Sequence, residues 1–287
     1  MFGNIAILGV GLIGGSLARA LRRAGACRRI MGYGRHETEL KKAVSLGVID
    51  DYALDPAHAV ARADIVVLAV PLGAMKPLMA AIGSALPPHA ILTDVGSAKS
   101  SVIADATAAF GLMPERFVPA HPIAGTEQSG VDASFAELFE GRRVILTPLE
   151  HTDRAAVEKI RAMWRVAGAV VEEMDALHHD RMLAATSHLP HVVAYSVVNA
   201  ALQLDPTSAV LRYAGTSFRD VTRVASSDPV MWRDIWLANK DAVLDSVQAF
   251  QTQLQALQHA IEQDDGTAIV AILSRAKAAR DRLAHEA

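Results

Sequence analysis

Cysteine is nearly absent from this chain, which has Cys27 alone among its 287 residues. A single cysteine excludes an intrachain disulfide and is typical of proteins in a reducing compartment. An excess of charge is also lacking, because the formal net charge is -3. The composition therefore gives no reason to expect nucleic acid or an anionic membrane surface as a partner.

Long apolar runs are missing as well. No run approaches the roughly 20 residues that a membrane-spanning helix needs. Residues 1–4 carry no basic segment of the kind that opens a signal peptide. These absences predict a cytoplasmic protein. What the chain does have is length and a 51% hydrophobic content, which is enough for about two domains.

Short apolar runs alternate with helical stretches up to about residue 175. The runs are 5–8, 30–33, 65–70, 90–93, 117–120 and 144–147, with 169–171 as a further strand. The helical stretches include 12–24, 75–86 and 153–167. Continuous apolar runs joined by helices are typical of parallel strands that are buried on both faces. The pattern predicts an α/β fold, with a Rossmann-type doubly wound parallel sheet in residues 1–175.

Strand-like runs disappear after this point, which predicts an all-helical domain of residues 176–287. Seven apolar residues keep largely to one helical face: Ile235, Leu244, Val247, Phe250, Leu254, Leu257 and Ile261. Ser227 with Asp228-Pro229 is typical of a helix start. Residues 192–204 are apolar around most of the helix, which predicts burial on all sides. In so small a domain, a partner subunit must cover part of it, so we expect a homodimer.

A glycine fingerprint follows the first predicted strand and opens the first predicted helix. Gly9 permits a tight turn, Gly11 lets the backbone approach a pyrophosphate, and Gly14 lets helix and strand pack closely. The backbone of Leu12 and Ile13 completes the start of the helix, whose free N–H groups attract phosphate. The segment predicts a dinucleotide site.

The preferred dinucleotide is indicated by the end of the second predicted strand. NAD-binding proteins usually carry a carboxylate there, which binds the ribose hydroxyls. This chain has Gly34, followed by Arg35. Arg35 can pair with a 2′-phosphate, so NADP is favoured over NAD. The alternative is that Arg35 is a solvated arginine stacked on the adenine, with NAD accepted.

His121 follows another predicted strand, at the sheet edge where ligands bind in such folds. An imidazole accepts protons near neutral pH, and a base beside a dinucleotide indicates oxidation of an alcohol. Ser97 also follows a strand. It can hydrogen-bond the reacting hydroxyl or the nicotinamide amide, or it can cap the next helix.

Together these motifs resemble the prephenate dehydrogenases. Six segments carry the resemblance: GVGLIGGS at 9–16, DVGSAK at 94–99, HPIAGTE at 121–127, SHLPH at 187–191, FRDVTR at 218–223 and SDPVMWR at 227–233. The family oxidises the ring alcohol of prephenate with a nicotinamide cofactor and releases carbon dioxide, giving 4-hydroxyphenylpyruvate in tyrosine biosynthesis. The resemblance implies that His121 is the general base. Aromatisation drives the reaction, so no metal is expected.

The resemblance also implies which residues bind the substrate. Arg223 corresponds to an arginine that binds a carboxylate, with a structural salt bridge as the alternative. His191 corresponds to a substrate-contacting histidine, and Ser187 and His188 orient that segment or are satisfied polar groups at a kinked helix end. Trp232 lies near the active site or in the core. Polar positions that gate the pocket in relatives correspond to Glu127, Arg219 and Asp220.

Competing interpretations remain open at the level of sequence. Arogenate, with an amine in place of the side-chain ketone, is the close alternative substrate. A hydroxyacid dehydrogenase of the same two-domain plan would use a lysine as base, and Lys240 is the one candidate. An interpretation of another class is a dimer that senses dinucleotides without turnover.

Overall fold

The computed structural model describes residues 1–204 and 209–286, with 283–286 described by their backbone alone. The chain divides into two compact units, Met1–Lys240 and Asp241–Ala287. The strands are β1 Asn4–Leu8, β2 Arg29–Tyr33, β3 Asp51–Ala53, β4 Ile65–Leu68, β5 Ile91–Asp94, β6 Phe117–Val118, β7 Ala120–Pro122, β8 Arg143–Leu146 and β9 Val170–Glu173.

Helices connect and follow these strands. They are α1 Leu12–Arg23, α2 Glu37–Ser45, α3 Pro56–Val60, α4 Leu72–Ile82, α5 Lys99–Phe110, α6 Arg154–Val166, α7 Ala176–Leu183, α8 Leu189–Leu204, α9 Thr216–Thr222, α10 Pro229–Ala238, α11 Lys240–Glu262 and α12 Gly266–Glu286. A π-helical turn, Ala184–His188, joins α7 to α8. Within the described ranges, no helix is long and apolar enough to cross a membrane.

Six strands form one parallel sheet in the order β3-β2-β1-β4-β5-β6. Strands β1, β4 and β5 are apolar and buried along most of their length, because helices cover both faces of the sheet. The strand order reverses between β1 and β4, and ligands bind at such a point in open α/β sheets. The predicted α/β fold, with a doubly wound parallel sheet followed by helices, is confirmed.

The sequence predicted one strand at 117–120, but the structure has two. β6 ends at Val118 and pairs with β5, whereas β7 begins at Ala120 and pairs antiparallel with β8 in a separate sheet, β7-β8-β9. Pro119 lies between them and has no N–H to continue a ladder. The prediction that 144–147 belongs to the parallel sheet is therefore wrong. Strand β3 was missed because it is short and begins with an aspartate.

The helix starting at residue 229 is confirmed, and the Asp228 side chain caps it by accepting hydrogen bonds from Val230 N and Met231 N. The predicted apolar helix face is split, because Ile235 lies in α10 whereas the other six residues lie in α11. The helix breaks at Asn239, whose side chain bonds elsewhere.

The prediction of burial on all sides of 192–204 is wrong for the single chain. Among the described side chains of α8, Ala194 alone is fully buried, and Leu204 is 85% exposed. Its valines are half-buried, so part of the apolar surface of this helix stays accessible.

Candidate active site

Each glycine of the fingerprint lacks a side chain for its own structural reason. Gly9 has φ +106°, a conformation that strains any other residue. A Cβ on Gly14 would lie 2.1 Å from the carbonyl oxygen of Gly9, so α1 can approach the strand only with glycine there. A Cβ on Gly11 would meet no atom within 4 Å. The space in front of the helix is open, as a bound pyrophosphate requires.

The first turn of α1 faces this open space. Leu12 is buried and Ile13 is half-buried, so both anchor the helix while their backbone amides remain at its N-terminus. Helix N-termini attract phosphate through free N–H groups and the positive end of the helix dipole. The residues present therefore fit the diphosphate of a nicotinamide dinucleotide.

The end of β2 presents a cation and no carboxylate of its own. Arg35 is exposed, and its guanidinium has no partner within residues 1–204 and 209–286. The nearest acid along the chain is Glu37, which accepts a hydrogen bond from the Tyr52 hydroxyl at 2.8 Å and pairs with Lys41 at 3.2 Å. A phosphate near this strand end would therefore find Arg35 unpaired.

His121 lies on β7 and is 8% exposed. Its Nδ1 is 2.9 Å from Nε2 of His179, and Nδ1 of His179 is 2.8 Å from Oδ1 of Asp180. Burial lowers the pKa of His121 well below its ordinary value, and His179, Lys99 and His188 lower it further. The imidazole is therefore neutral at neutral pH and able to accept a proton.

A buried ion pair lies directly beside this strand. The side chains of Lys99 and Asp94 are fully buried and form an ion pair. Lys99 Nζ also donates to the carbonyl oxygen of Ala120 at 2.8 Å, and Ala120 N donates to Asp94 Oδ1 at 3.1 Å. Burial lowers the pKa of Lys99, although the Asp94 carboxylate opposes this. The pair thus holds both backbone groups of the residue before His121.

Asp180 connects the histidines to the start of α5. Its carboxylate accepts hydrogen bonds from Lys99 N at 2.7 Å and from Ser100 N at 2.9 Å. The interpretation of Ser97 as the cap of this helix is wrong, because Ala98 occupies the cap position and Asp180 supplies the acceptor. Ser97 is half-buried in the loop between β5 and α5, close in the chain to the buried ion pair.

The π-helical turn rotates His188 toward the same network. At roughly 100° per residue, an uninterrupted α-helix would place His188 on the opposite side from His179, and a π turn advances less per residue. His188 Nδ1 is 3.2 Å from Asn239 Nδ2, which also donates to the carbonyl oxygen of Asp180 at 2.8 Å. Burial lowers the pKa of His188 to about 4.

An aromatic cluster adjoins these histidines. The rings of His191 and Trp232 are stacked with centroids 3.5 Å apart, and His188 lies edge-on to Trp232 at 6.0 Å. Trp232 is buried with Ile235 in the core. The carbonyl oxygen of Ser187 lies 2.9 Å from His191 Nδ1, so the kinked segment 187–191 satisfies part of its own polar groups. Burial lowers the pKa of His191.

Arg223 forms an ion pair with Glu127, and the two side chains are 65% and 35% exposed. Glu127 belongs to the segment that begins at His121, so the pair links the motif 218–223 to the motif 121–127. The salt bridge that sequence analysis gave as the alternative for Arg223 is therefore present. Its exposure leaves the guanidinium accessible to another anion.

The structure thus gathers most of the predicted residues along one edge of the sheet. The glycine turn follows β1 and the Asp94 loop follows β5, with β4 between them, so the two lie roughly 10 Å apart at strand spacing. Asp94 and Lys99 belong to the segment 94–99 that carries the resemblance, but sequence analysis assigned no catalytic role to them or to Asn239, His179 and Asp180. The adjacent His-Asp pair in the first turns of α7 was the available signal. No three-group metal cluster occurs in the part of the chain described.

Comparison with known proteins gives a family for this arrangement. The model of the prephenate dehydrogenase nucleotide-binding domain matches residues 17–173, and the model of the prephenate dehydrogenase dimerization domain matches residues 175–275. The cyclohexadienyl dehydrogenase of Zymomonas mobilis is 41% identical over 98% of this chain and 96% of that protein.

Solved structures agree over the full length. Prephenate dehydrogenase from Aquifex aeolicus, in complex with hydroxyphenyl propionate and NAD+, has a TM-score of 0.93 at 37% identity and covers 99% of each chain. Arogenate dehydrogenase from Synechocystis has a TM-score of 0.81 at 29% identity and covers 98% of this chain and 99% of that one. The chain is an NAD(P)-dependent oxidoreductase that belongs to the prephenate dehydrogenase family.

Proposed function

We propose that this protein oxidises prephenate to 4-hydroxyphenylpyruvate and carbon dioxide, with NAD(P) as hydride acceptor. One observation carries the proposal: a buried, neutral His121 follows Ala120, whose backbone is bound by the Lys99–Asp94 ion pair at the end of β5. Strand β5 lies two strands from β1 and from the glycine turn that fits a dinucleotide. A neutral imidazole can take the hydroxyl proton of a ring alcohol. The bound nicotinamide takes the hydride from the same carbon.

His121 and Ser97 are the groups that we assign to the reacting hydroxyl. His121 accepts its proton, and Ser97, in the loop after β5, orients it by a hydrogen bond. Electrons from the breaking bond between the ring and the carboxylate complete the aromatic ring as carbon dioxide leaves, and His121 returns its proton to the phenolate oxygen. A dianionic substrate beside His121 raises the pKa of the imidazole, which strengthens the base in the complex.

Recognition of the substrate falls to the residues around the aromatic cluster. Arg223 exchanges Glu127 for a substrate carboxylate, which suits a planar guanidinium as a two-pronged donor. His191 contacts the side chain of the substrate, and stacking on Trp232 fixes the orientation of its ring. Ser187 and His188 orient this segment. Arogenate is the alternative substrate, supported by the similarity to the Synechocystis arogenate dehydrogenase.

The test is turnover of purified protein with prephenate or arogenate and either NAD+ or NADP+, followed by absorbance of the reduced nicotinamide. His121→Asn should lower kcat by about 100-fold or more, because general-base catalysis contributes about 10²–10⁴-fold. The exposed His178→Asn is the matched control and should retain activity. Cofactor binding without turnover of either substrate would favour a non-catalytic dinucleotide-binding dimer instead.

Arg223→Ala tests the carboxylate contact. Hydrogen bonds to charged groups contribute about 1.5–3 kcal/mol, so the KM for prephenate should rise roughly 10–100-fold with little change in the KM for cofactor. The control is Arg143→Ala, which removes another exposed arginine that pairs with a glutamate. Loss of cofactor binding in Arg223→Ala would make the residue structural.

For the cofactor, we propose that NADP is preferred over NAD, because Arg35 is exposed and unpaired in the described structure at the strand end that faces the adenosine ribose. Arg35→Ala should lower kcat/KM with NADP+ by roughly tenfold and leave that with NAD+ nearly unchanged. Arg29→Ala, at the start of the same strand, is the control. Equal effects on both cofactors would contradict the assignment.

We further propose a homodimer and a functional division near residue 175. Residues 1–175 would bind the dinucleotide and residues 176–287 would bind substrate and pair the subunits. Support comes from four exposed apolar side chains of α11, namely Leu244, Phe250, Leu254 and Ile261, because large exposed apolar surfaces mark interaction sites. On α8, Leu204 is exposed and the valines are half-buried. Light scattering should give twice the mass of one chain, and a monomeric mass would contradict it.

A further inference from the structure

Three buried side chains form a row that begins at the base and ends at a helix start. His121 contacts His179, and His179 contacts Asp180, each at hydrogen-bond distance. His179 and Asp180 are 0% and 3% exposed. Because these side chains are buried, Nδ1 of His121 and both ring nitrogens of His179 take their partners from the row itself.

Asp180 fixes the direction of its own hydrogen bond with His179. Burial raises the pKa of this carboxyl, but the hydrogen bonds from His179, Lys99 N and Ser100 N outweigh that effect and leave the pKa below its ordinary value. Asp180 is therefore ionised and can only accept hydrogen bonds. It follows that Nδ1 of His179 carries a hydrogen and donates it to Oδ1 of Asp180.

His179 then fixes the direction of its hydrogen bond with His121. Burial lowers the pKa of His179 more than Asp180 raises it, so the ring is neutral and carries one hydrogen, on Nδ1. Its Nε2 can only accept. Nδ1 of His121 must therefore donate to it, which leaves the lone pair of a neutral His121 on Nε2.

We propose that His179 and Asp180 are positioning residues, which hold His121 in the tautomer whose Nε2 receives the substrate proton. The proposal rests on the proposed role of His121 as the base. The row fixes the plane of the His121 ring as well as its tautomer, because β7 holds the backbone of His121 and Nδ1 is bound to a second buried ring. Neither positioning residue needs to touch the substrate.

The charges around His121 fit this assignment. The Asp180 carboxylate faces the base through His179 and stabilises the positive charge that His121 gains with the proton. Lys99 on α5 and His188 on the π turn oppose that charge, and Asp94 on β5 offsets Lys99 through their ion pair. Without His179 and Asp180, no carboxylate would offset the effect of Lys99 on His121 through this row. The His121 ring could then adopt either neutral tautomer.

The first test removes the acceptor while keeping the base. His179→Leu should lower kcat by about 100-fold, the lower end of a general-base contribution, while the KM for prephenate changes by less than about threefold. His179→Gln offers an amide oxygen to His121 Nδ1 and should recover kcat to within about tenfold of the parent. The exposed His178→Leu, on the same helix, is the matched control and should match the parent.

The second test reads the tautomer without any substrate. The chain has eleven histidines, and the difference between the histidine-labelled parent and His121→Asn assigns the ring nitrogens of His121 in ¹H–¹⁵N spectra. The parent should show Nδ1 protonated and Nε2 unprotonated. His179→Leu should lose that pattern, and His179→Gln should keep it. A parent His121 with hydrogen on Nε2 overturns the proposal.

The two tests separate failure of the positioning from failure of the proposed function. If the parent turns over neither substrate but shows the expected tautomer, the proposed function fails and the positioning stands. If the parent turns over prephenate and His179→Leu does so equally well with an unchanged spectrum, the positioning is overturned and the function stands. Thermal unfolding of all variants accompanies both tests, and rescue by glutamine is the result that a purely structural role would not give.

Discussion

The two halves of the candidate active site are built in opposite ways. On the cofactor side, the turn from Gly9 to Gly14 works through absent side chains and free backbone amides. On the side of the base, charged and polar side chains are buried together, among them Lys99, His121 and Asp180. One half depends on space and backbone shape, and the other depends on hydrogen bonds between side chains in a dry interior.

This difference determines how each half can fail. A glycine turn tolerates changes of pH and salt, since it contains no titratable side chain, but it does not tolerate added volume. A buried polar network tolerates little change of charge, because any group that loses its partner keeps the cost of its burial. Three perturbations sharpen the contrast, from the largest expected effect to the smallest.

Asp94→Ala should have the largest effect. It leaves the Lys99 ammonium buried without its counter-ion, and breaking a buried pair in this way costs about 3–5 kcal/mol. Denaturant unfolding measures the loss. The matched control is Asp132→Ala, which removes the exposed partner of Lys42 and should cost less than about 1 kcal/mol. Equal losses in the two variants would mean that burial adds nothing to the Lys99–Asp94 interaction.

Acid should have the second-largest effect, because it lowers the free energy of unfolding through the buried histidines. The pKa of His188 is about 4 in the folded chain and near 6.5 when unfolded, so the unfolded chain binds the proton first as the pH falls. The free energy of unfolding should therefore decline from pH 6.5 to 4, by about 3 kcal/mol from His188 alone. Burial likewise lowers the pKa of His121 and His179, which adds to the decline.

Denaturant midpoints across this pH range measure that slope. His188→Gln should reduce that slope, whereas His178→Gln, at an exposed position on α7, should leave it as in the parent. A parent whose unfolding free energy is constant between pH 6.5 and 4 would contradict the burial of neutral histidines.

The smallest effects distinguish two glycines of the same turn. Gly14→Ala should cost about 1–3 kcal/mol of stability, because its Cβ would overlap the carbonyl oxygen of Gly9. Gly11→Ala should cost less than about 1 kcal/mol, since its Cβ enters open space at the helix cap. It should nevertheless weaken dinucleotide binding by about tenfold or more. Denaturation and calorimetric titration separate the two effects, and equal stability losses would argue against them.

The same contrast explains what the sequence could predict. The glycine turn, the strands β1, β2, β4 and β5, and the helix that starts after Asp228 each depend on neighbours within a few residues. Their local patterns are therefore sufficient. Likewise, His121 could be located because it follows the apolar run 117–120, although the structure places it within β7.

The rest depends on contacts between distant parts of the chain. His179 contacts His121 across 58 positions, Asp180 contacts Lys99 N across 81, and Asn239 contacts Asp180 across 59. No spacing rule links such residues. The division of 117–120 between two sheets was hidden for a related reason, because an apolar run does not reveal which sheet it joins, although Pro119 marks the break.

The Lys99–Asp94 ion pair, which binds both backbone groups of Ala120, also favours one alignment of strand β7 over its neighbours. Strand β7 has only three residues paired with β8, and a slip of one residue would turn His121 to the opposite face of its sheet. Asp94 holds the N–H of Ala120 and Lys99 holds its carbonyl oxygen, so the slipped pairing would leave both buried charges facing the wrong residue. We therefore expect this ion pair to disfavour the slipped alignment during folding, in which His121 would lie on the opposite face of the sheet.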